Sequence, residues 1–247
     1  MVYLSGFHAI EERIKSGRSC EALLLAKAGP RAREIVNLAI EHKIPVNRSG
    51  TAELDRLSSG HRGILLLIPD EKPDDNSDEI SLDSFISRLG NKKQALAVVL
   101  DEITDPHNYG AILRSCDQFG ADIVITRKRR TAKHAAVIAQ TSSGASAWVP
   151  AAEAPNLLRA IEILKDNGFC IYGADMQGVN AWDKDLTGRT AIILGSEGYG
   201  ISRILRENCD GLIAIPKEGR LDSLNVSVAA GVLLYEINRQ RKNPRHY

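Results

Sequence analysis

No C-x-x-C occurs in this chain, and its four cysteines, at positions 20, 116, 170 and 209, have no metal-ligand spacing. That excludes a cysteine-built zinc site and fits a reduced, cytoplasmic protein. An excess of either charge sign is also missing. There are 32 basic and 31 acidic residues, a net charge of +1, so overall charge gives no argument for a nucleic-acid partner. No apolar run approaches the roughly 20 residues needed to cross a bilayer. The opening residues, Met-Val-Tyr-Leu-Ser-Gly-Phe-His, have no basic region followed by an apolar one, so no secretory signal is expected. The glycine-rich stretch Gly195–Gly200 is neither G-x-G-x-x-G nor followed by Gly-Lys-Ser/Thr. A dinucleotide fingerprint and a P-loop are therefore both unsupported, and with them an ordinary nucleotide-dependent metabolic enzyme.

The 247 residues are 43% hydrophobic, enough for one large domain or two ordinary ones. Composition shifts once. Residues 70–83 hold seven acidic residues, one lysine and one proline, and read as an exposed connection between the apolar strand at 64–68 and the next at 95–100. The predicted organisation is a small α/β domain at 1–70, a linker at 71–94 and a larger α/β domain at 95–247.

In the first segment, helices are predicted around residues 9–14, around 35–42 and from Thr51, as a cap, to Leu57, with strands at 22–26, 44–46 and from 64. In the second, strands at 95–101, 121–126, 169–174, 190–195 and 211–216 alternate with helices near 108–119, 133–141, 155–167, 200–208 and 224–240. Gly120 and Gly168 stand where helix C-caps belong. Near-continuous apolar strands between helices predict a mostly parallel sheet covered on both faces.

Two basic clusters interrupt the balanced charge: Arg127, Lys128, Arg129, Arg130 and Lys133, and Arg239, Arg241, Lys242 and Arg245. Each is either a phosphate-binding patch or a solvated surface. Chemistry is concentrated instead in three polar loops, each following an apolar run. After the first strand of the larger domain comes Asp101 to Ser115, with Asn108 placed to cap the next helix or to serve a site, and Arg114 inside that helix. An arginine near a strand's C-terminal edge can hold a phosphate in bidentate fashion. The second loop, Leu194-Gly-Ser-Glu-Gly-Tyr-Gly-Ile201, surrounds Glu197 with glycines that let backbone approach a ligand. The third runs from Ile215 through Ser223, Leu224 and Asn225 into an apolar helix, where Ser223 and Asn225 are either N-caps or site residues. His8, His107 and His134 have no neighbouring serine or cysteine that would make a nucleophile pair.

Together these loops resemble the three motifs of the SpoU (TrmH) family of RNA ribose 2′-O-methyltransferases, of the SPOUT class, carried by Asn108–Arg114, Leu194–Ile201, and Ile215-Pro with Ser223–Ala229. Residues 1–70, with Gly6-Phe-His-Ala-Ile and His61-Arg-Gly-Ile, are similar to the L30e-like RNA-binding domain of the family's two-domain members. The resemblance implies a deep C-terminal trefoil knot, a rare exception to ordinary topology, and a homodimer with the site near its interface. It implies S-adenosylmethionine as cofactor, held by Leu194, Gly195, Gly200, Ile215 and Leu224, with no metal. Asn108, Arg114, Glu197, Ser223 and Asn225 are implied as the catalytic set. Motif two carries Ser196 where family members often have Asn or Ala. The implied partner is RNA: ribosomal RNA first, with a guanosine in the peptidyl-transferase P loop of 23S rRNA as the target. The alternatives are a tRNA methyltransferase or a non-catalytic RNA-binding or ribosome-assembly protein of the same fold.

Overall fold

Short strands, most of them apolar, alternate with amphipathic helices along the chain. A computed structural model describes residues 2–58, 61–69, 80–127, 132–220 and 223–243. The order is β1 (Val2–Ser5), α1 (Phe7–Lys15), β2 (Ala22–Leu25), α2 (Pro30–Glu41), β3 (Val46–Arg48), α3 (Thr51–Leu57), β4 (Ile64–Ile68), α4 (Leu82–Leu89), β5 (Ala95–Leu100), α5 (Pro106–Phe119), β6 (Ile123–Thr126) and α6 (Ala132–Thr141). It continues with β7 (Ala151–Glu153), α7 (Leu157–Asp166), β8 (Cys170–Asn180), β9 (Arg189–Leu194), α8 (Arg203–Glu207), β10 (Gly211–Ala214) and α9 (Val226–Lys242). The chain divides into two compact units, Met1–Ser77 with Arg130–Trp148, and Asp78–Arg129 with Val149–Tyr247.

The first unit is built on a mixed sheet in the order β1-β4-β2-β3. β4 runs antiparallel to both β1 and β2, whereas β3 runs parallel to β2. Ile10 and Ile14 of α1 and Ile35 and Ala39 of α2 pack with Leu4, Leu23, Ile64 and Leu66 of the sheet. Ala139 of α6 packs against the same core, so α6, expected as one more helix of the larger domain, groups with the first unit instead. Gly144 shows how tightly this segment docks. Its φ is +96°, and a Cβ there would stand 2.5 Å from the Glu12 side chain on α1. Strand β1 is an addition to the elements expected from sequence; it is a short edge strand whose apolar pattern is too brief to read. The N-cap of α3 is Gly50, not Thr51, which is already the first helical residue.

The second unit holds a sheet that, among the described residues, is entirely parallel, in the order β10-β8-β9-β5-β6-β7. Its central strands β5, β6 and β9 are almost wholly buried, and all six residues of β5 are, as burial between two helix layers requires. Part of the expected linker is helical: Phe85 and Leu89 of α4 enter this unit's core, and Ser81 caps the helix by accepting from Ser84 N–H at 3.1 Å. Residues 70–79 lie outside the described residues. Gly120, with φ +71°, ends α5 in the left-handed conformation as expected; α7 ends one residue earlier than expected, at Asn167, with Gly168 following at φ +78°. On the edge, β8 pairs with β10 through Gly173 and resumes at Val179, so residues 174–178 leave the ladder as an excursion. Arg206 of α8 pins that excursion through Asp175 and, at 2.8 Å, Gln177.

Candidate active site

In a parallel sheet every strand ends at the same edge, and ligands sit beyond the carboxyl ends where the strand order reverses. Here the chain runs outward from β5 through β6 to β7, then crosses to β8 and returns with β9 beside β5. The loops after β5 and β9 therefore leave the sheet side by side. Asp101, one residue beyond β5 and only 2% exposed, fastens them: its backbone N–H donates to Leu194 O at 2.9 Å, and its carboxylate accepts from Ser202 N–H at 2.7 Å. This buried carboxylate is missing from the residues singled out by sequence. Its one signal there is an acid placed directly after a six-residue apolar run. The next residue, Glu102, sits at φ +58° and pairs with Arg127 at 3.7 Å, so the chain turns sharply at the strand end.

The helix after β5 is capped by Asp105, whose carboxylate accepts from the N–H groups of His107 (3.1 Å) and Asn108 (3.3 Å). The capping role open to Asn108 by sequence is thus taken by Asp105. Asn108 occupies the first turn of α5, and its amide points elsewhere. After β9 the chain folds back on itself: Ser196 N–H donates to Gly200 O at 3.0 Å and Gly200 N–H to Ser196 O at 2.9 Å. This tight hairpin carries Glu197 near its tip and leaves Tyr199 97% exposed. Asn225 caps α9; its side-chain oxygen accepts from the backbone N–H of Ser227 at 3.0 Å and of Val228 at 3.4 Å.

These three elements meet through their side chains. Asn108 Nδ2 donates to Glu197 Oε1 at 3.0 Å, Asn225 Nδ2 donates to the same oxygen, and Asn225 Nδ2 also reaches Asn108 Oδ1 at 3.0 Å. One carboxylate thus collects two amides from helices whose starts are more than a hundred residues apart. Leu224, adjacent to Asn225 and half exposed, lies at the same place, and so do Gly195 and Gly200 at the base of the hairpin. Ile215 leaves the same sheet edge just after β10, with β8 between it and β9. Ser223 is exposed and, among the described residues, has no hydrogen bond to the trio. Arg114 is exposed on α5, six residues beyond Asn108, which places it about 9 Å along the axis and about 120° around it. It shares a stripe with His107 rather than with Asn108.

The two basic clusters fare differently. Arg239 is paired with Glu236 (2.8 and 2.7 Å), and Arg241 donates to the carbonyls of Ala95 and Gly188, each at 2.8 Å. Burial holds the Arg241 guanidinium below its usual range. These two arginines are structural, and Arg245 lies outside the described residues. Lys128, Arg129 and Arg130 of the other cluster also lie outside them, as does the side chain of Lys133. Among the described residues no group of three or more His, Cys, Asp or Glu side chains could hold a metal, and no helix is long and apolar enough to cross a membrane.

Residues 95–235, which contain Asp101 and the Asn108–Glu197–Asn225 trio, match the SpoU rRNA methylase family. The chain belongs to that family. A second family, RNA 2′-O ribose methyltransferase substrate binding, matches residues 3–73 of this SpoU chain. It is 40% identical over 222 residues to an uncharacterized tRNA/rRNA methyltransferase of Borreliella burgdorferi, covering 87% of this chain and 96% of that protein. A relative of the same description from Mycobacterium tuberculosis is 38% identical over 249 residues, covering 97% and 74%. Among solved structures, the SpoU methyltransferase AviRb from Streptomyces viridochromogenes, in complex with AdoMet, superposes with a TM-score of 0.76 at 25% identity, covering 98% of this chain and 91% of that one. The A. aeolicus TrmH/SpoU tRNA modifying enzyme gives 0.55 at 30% identity, covering 65% and 82%. The SpoU family membership and the α/β fold with its parallel sheet are as the motifs implied.

Proposed function

We propose that this SpoU-family chain methylates a ribose 2′-hydroxyl of ribosomal RNA at the edge of its parallel sheet, with S-adenosylmethionine as methyl donor. The observation that carries the reading is the trio Asn108–Glu197–Asn225, which joins all three motifs at one point.

The residues present fit the cofactor. The charged methionyl chain needs polar backbone groups close by, and the adenine needs an apolar wall. Gly195 supplies the first: a Cβ there would fall 2.0–2.2 Å from backbone atoms of Gly200 and Ile201, so only glycine permits this loop. Leu224, half exposed, and Ile215, half-buried, supply the second. Leu194, Gly195, Gly200, Ile215 and Leu224 would hold the cofactor, which brings an activated methyl on a sulfonium.

The chain's task is then position and charge. Glu197 fixes the amide groups of Asn108 and Asn225, and these with Ser223 orient the ribose. Arg114, with its forked donor set, binds an RNA phosphate and stabilises the developing alkoxide. A large-subunit guanosine in the P loop of 23S rRNA is the proposed target. The substrate-binding match over 3–73 supports ribosomal RNA over tRNA, and so does the A. aeolicus tRNA-modifying structure, which covers only 65% of this chain. In this reading residues 1–70, with α6 added, are an L30e-like RNA-binding domain, 71–94 a connection that includes α4, and 95–247 apart from α6 the catalytic domain. A deep trefoil knot forms the pocket in the same reading; what supports it is the Leu212–Ile213 backbone lying within 2.5–2.6 Å of a Cβ position at Gly178, a close approach of segments more than thirty residues apart. The chain works as a homodimer. Val228, Val232 and Tyr235, 50%, 41% and 57% exposed along α9, supply an apolar stripe for the partner.

The test is transfer of labelled methyl from S-adenosylmethionine to unmodified ribosomal RNA and to tRNA, with ribose methylation then mapped. A single 2′-O-methyl in large-subunit RNA is expected. Label in tRNA alone overturns the substrate, and no label in either overturns catalysis. Arg114→Ala is expected to keep the cofactor-induced rise in melting temperature and lose methyl transfer. Wild-type turnover in that variant removes Arg114 from the mechanism.

A further inference from the structure

Apart from the two basic clusters prominent in the sequence, the first unit carries a third set of cations, assembled by its sheet. β2 and β3 run parallel and pair Leu25 with Arg48, while β4 enters antiparallel and pairs Ile64 with Leu25. The C-terminal ends of β2 and β3 and the start of β4 therefore share one edge. Just beyond the paired residues stand Lys27, whose N–H donates to Gly63 O at 3.3 Å, and Arg62, one residue before Gly63. Lys27, Arg48 and Arg62 are all exposed, and among the described residues none pairs with a carboxylate. Three strands side by side make an edge about 10 Å across, room for a short run of phosphates.

Arg62 is held there at a conformational cost. Ile64 N–H donates to His61 O at 2.9 Å, closing a turn whose central residues Arg62 and Gly63 have φ of +49° and +87°. Two positive φ values are the pattern of a type I′ turn, which Asn or Gly at the first central position adopts far more cheaply than Arg. The turn is locked from inside. His61, 7% exposed, accepts from Gly63 N–H at Nδ1 (2.9 Å), so its Nε2 carries the proton donated to Asp55 at 2.9 Å. That bond occupies Asp55, the nearby acid, and ties the turn to α3. A cation kept in a strained position by a buried histidine is the kind of outlier that marks function rather than stability.

We infer that the edge formed by Lys27, Arg48 and Arg62 is a phosphate-binding surface for the RNA backbone of the substrate. It reads position and not sequence, because ammonium and guanidinium groups on a sheet edge meet phosphates alike whatever the base. This rests on the proposed RNA substrate. The experiment measures binding of in vitro-transcribed large-subunit rRNA at two or more salt concentrations for the full chain, for Lys27→Glu/Arg48→Glu/Arg62→Glu, and for Arg159→Glu, an exposed arginine on α7, as a charge control. The triple variant is expected to bind at least about tenfold more weakly, with the salt slope reduced by about two to three, near one for each phosphate left without its cation. Its cofactor-induced thermal shift stays as in the parent. Arg62→Asn removes the strain and is expected to melt at or above the parent temperature while still binding RNA more weakly. Parent-like affinity and slope in the triple variant overturn the surface, as does an equal loss in Arg159→Glu. Failure of the parent itself to bind this RNA fails the substrate reading, and the surface with it.

Discussion

Asn108 and Glu197, 89 positions apart in the chain, are joined by a 3.0 Å hydrogen bond from the Asn108 amide to the Glu197 carboxylate. The bond exists because a different residue, Asp105, caps α5 and leaves Asn108 unoccupied by that role. Each of Asn108→Ala, Glu197→Gln and Asn225→Ala is expected to lower kcat/KM by about tenfold or more, since hydrogen bonds to a charged group are worth about 1.5–3 kcal/mol and exposure here trims that figure. Melting temperature should move little in the first two variants and fall by a few degrees in Asn225→Ala, which also loses the N-cap of α9. The losses should not add in the Asn108→Ala/Glu197→Gln double variant, because the two residues act as one unit. Additive losses would show that the contact has no part in turnover. Asn108→Asp should be worse than Asn108→Ala, since it sets two carboxylates against each other.

Much of this site was legible in the sequence. Glu197, Asn108 and Asn225 each follow an apolar run that ends at one sheet edge, and a parallel sheet brings such ends together whatever their separation in the chain. What was illegible came from partners far away. Asp105 before Pro106 is a local cap signal, but the use Asn108 then makes of its amide depends on Glu197, 89 residues away. Phe85 and Leu89 sit beside an acidic stretch whose composition suggested a bare connection, and only the core they enter shows them as a helix. The grouping of Ala132–Thr141 with the first unit depends on Gly144 fitting against Glu12, a contact no local pattern encodes. Arg239 reads as part of a basic tail until Glu236 is seen beside it, and Arg241 until the carbonyls of Ala95 and Gly188 supply its partners.

Asp101 gives a prediction that separates support from chemistry. Its carboxylate is buried and accepts from Ser202 N–H at 2.7 Å. Asp101→Ala leaves that donor without its partner, at a cost of about 1–3 kcal/mol, seen as a fall of several degrees in Tm. Because the bond anchors the hairpin that carries Glu197, kcat should fall as well. Asp101→Asn keeps an acceptor oxygen and is expected to recover most of both. An Asn variant as damaged as the Ala variant would mean that the charge, not the hydrogen bond, is what the position needs.

The thiols should divide by burial. Burial pushes the Cys116 thiol up to about 12, helped by the Asp117 carboxylate beside it, and the Cys209 thiol up to about 11. A raised pKa keeps the neutral thiol, so the reactive thiolate is scarce at about pH 8 in both. Cys170 is exposed. With a thiol-specific reagent at that pH, Cys170 should label first and Cys116 only on unfolding. Fast labelling of Cys116 in the folded chain would show that α5 opens readily from its neighbours.

Gly195 offers the sharpest test of where the cofactor sits. The loop from Gly195 to Ile201 closes so tightly that a single methyl at position 195 would lie 2.0 Å from the Gly200 carbonyl carbon and 2.2 Å from Ile201 N. Both obstacles are backbone, which cannot swing aside as a side chain can. Gly195→Ala must therefore open the hairpin that Ser196 and Gly200 close, and in doing so displace Glu197 from the amides of Asn108 and Asn225. The expected result is at least about a tenfold rise in the Kd for S-adenosylmethionine, equivalent to about 1.4 kcal/mol, and a still larger loss in kcat/KM because both cofactor and trio are disturbed. Gly198→Ala makes the comparison fair: its Cβ position is open and its φ is not in the left-handed region, so the same methyl three residues along should leave cofactor affinity near the parent value. If the two alanines weaken cofactor binding equally, the loop matters only for its flexibility; if Gly195→Ala binds cofactor like the parent, the cofactor does not rest on this turn.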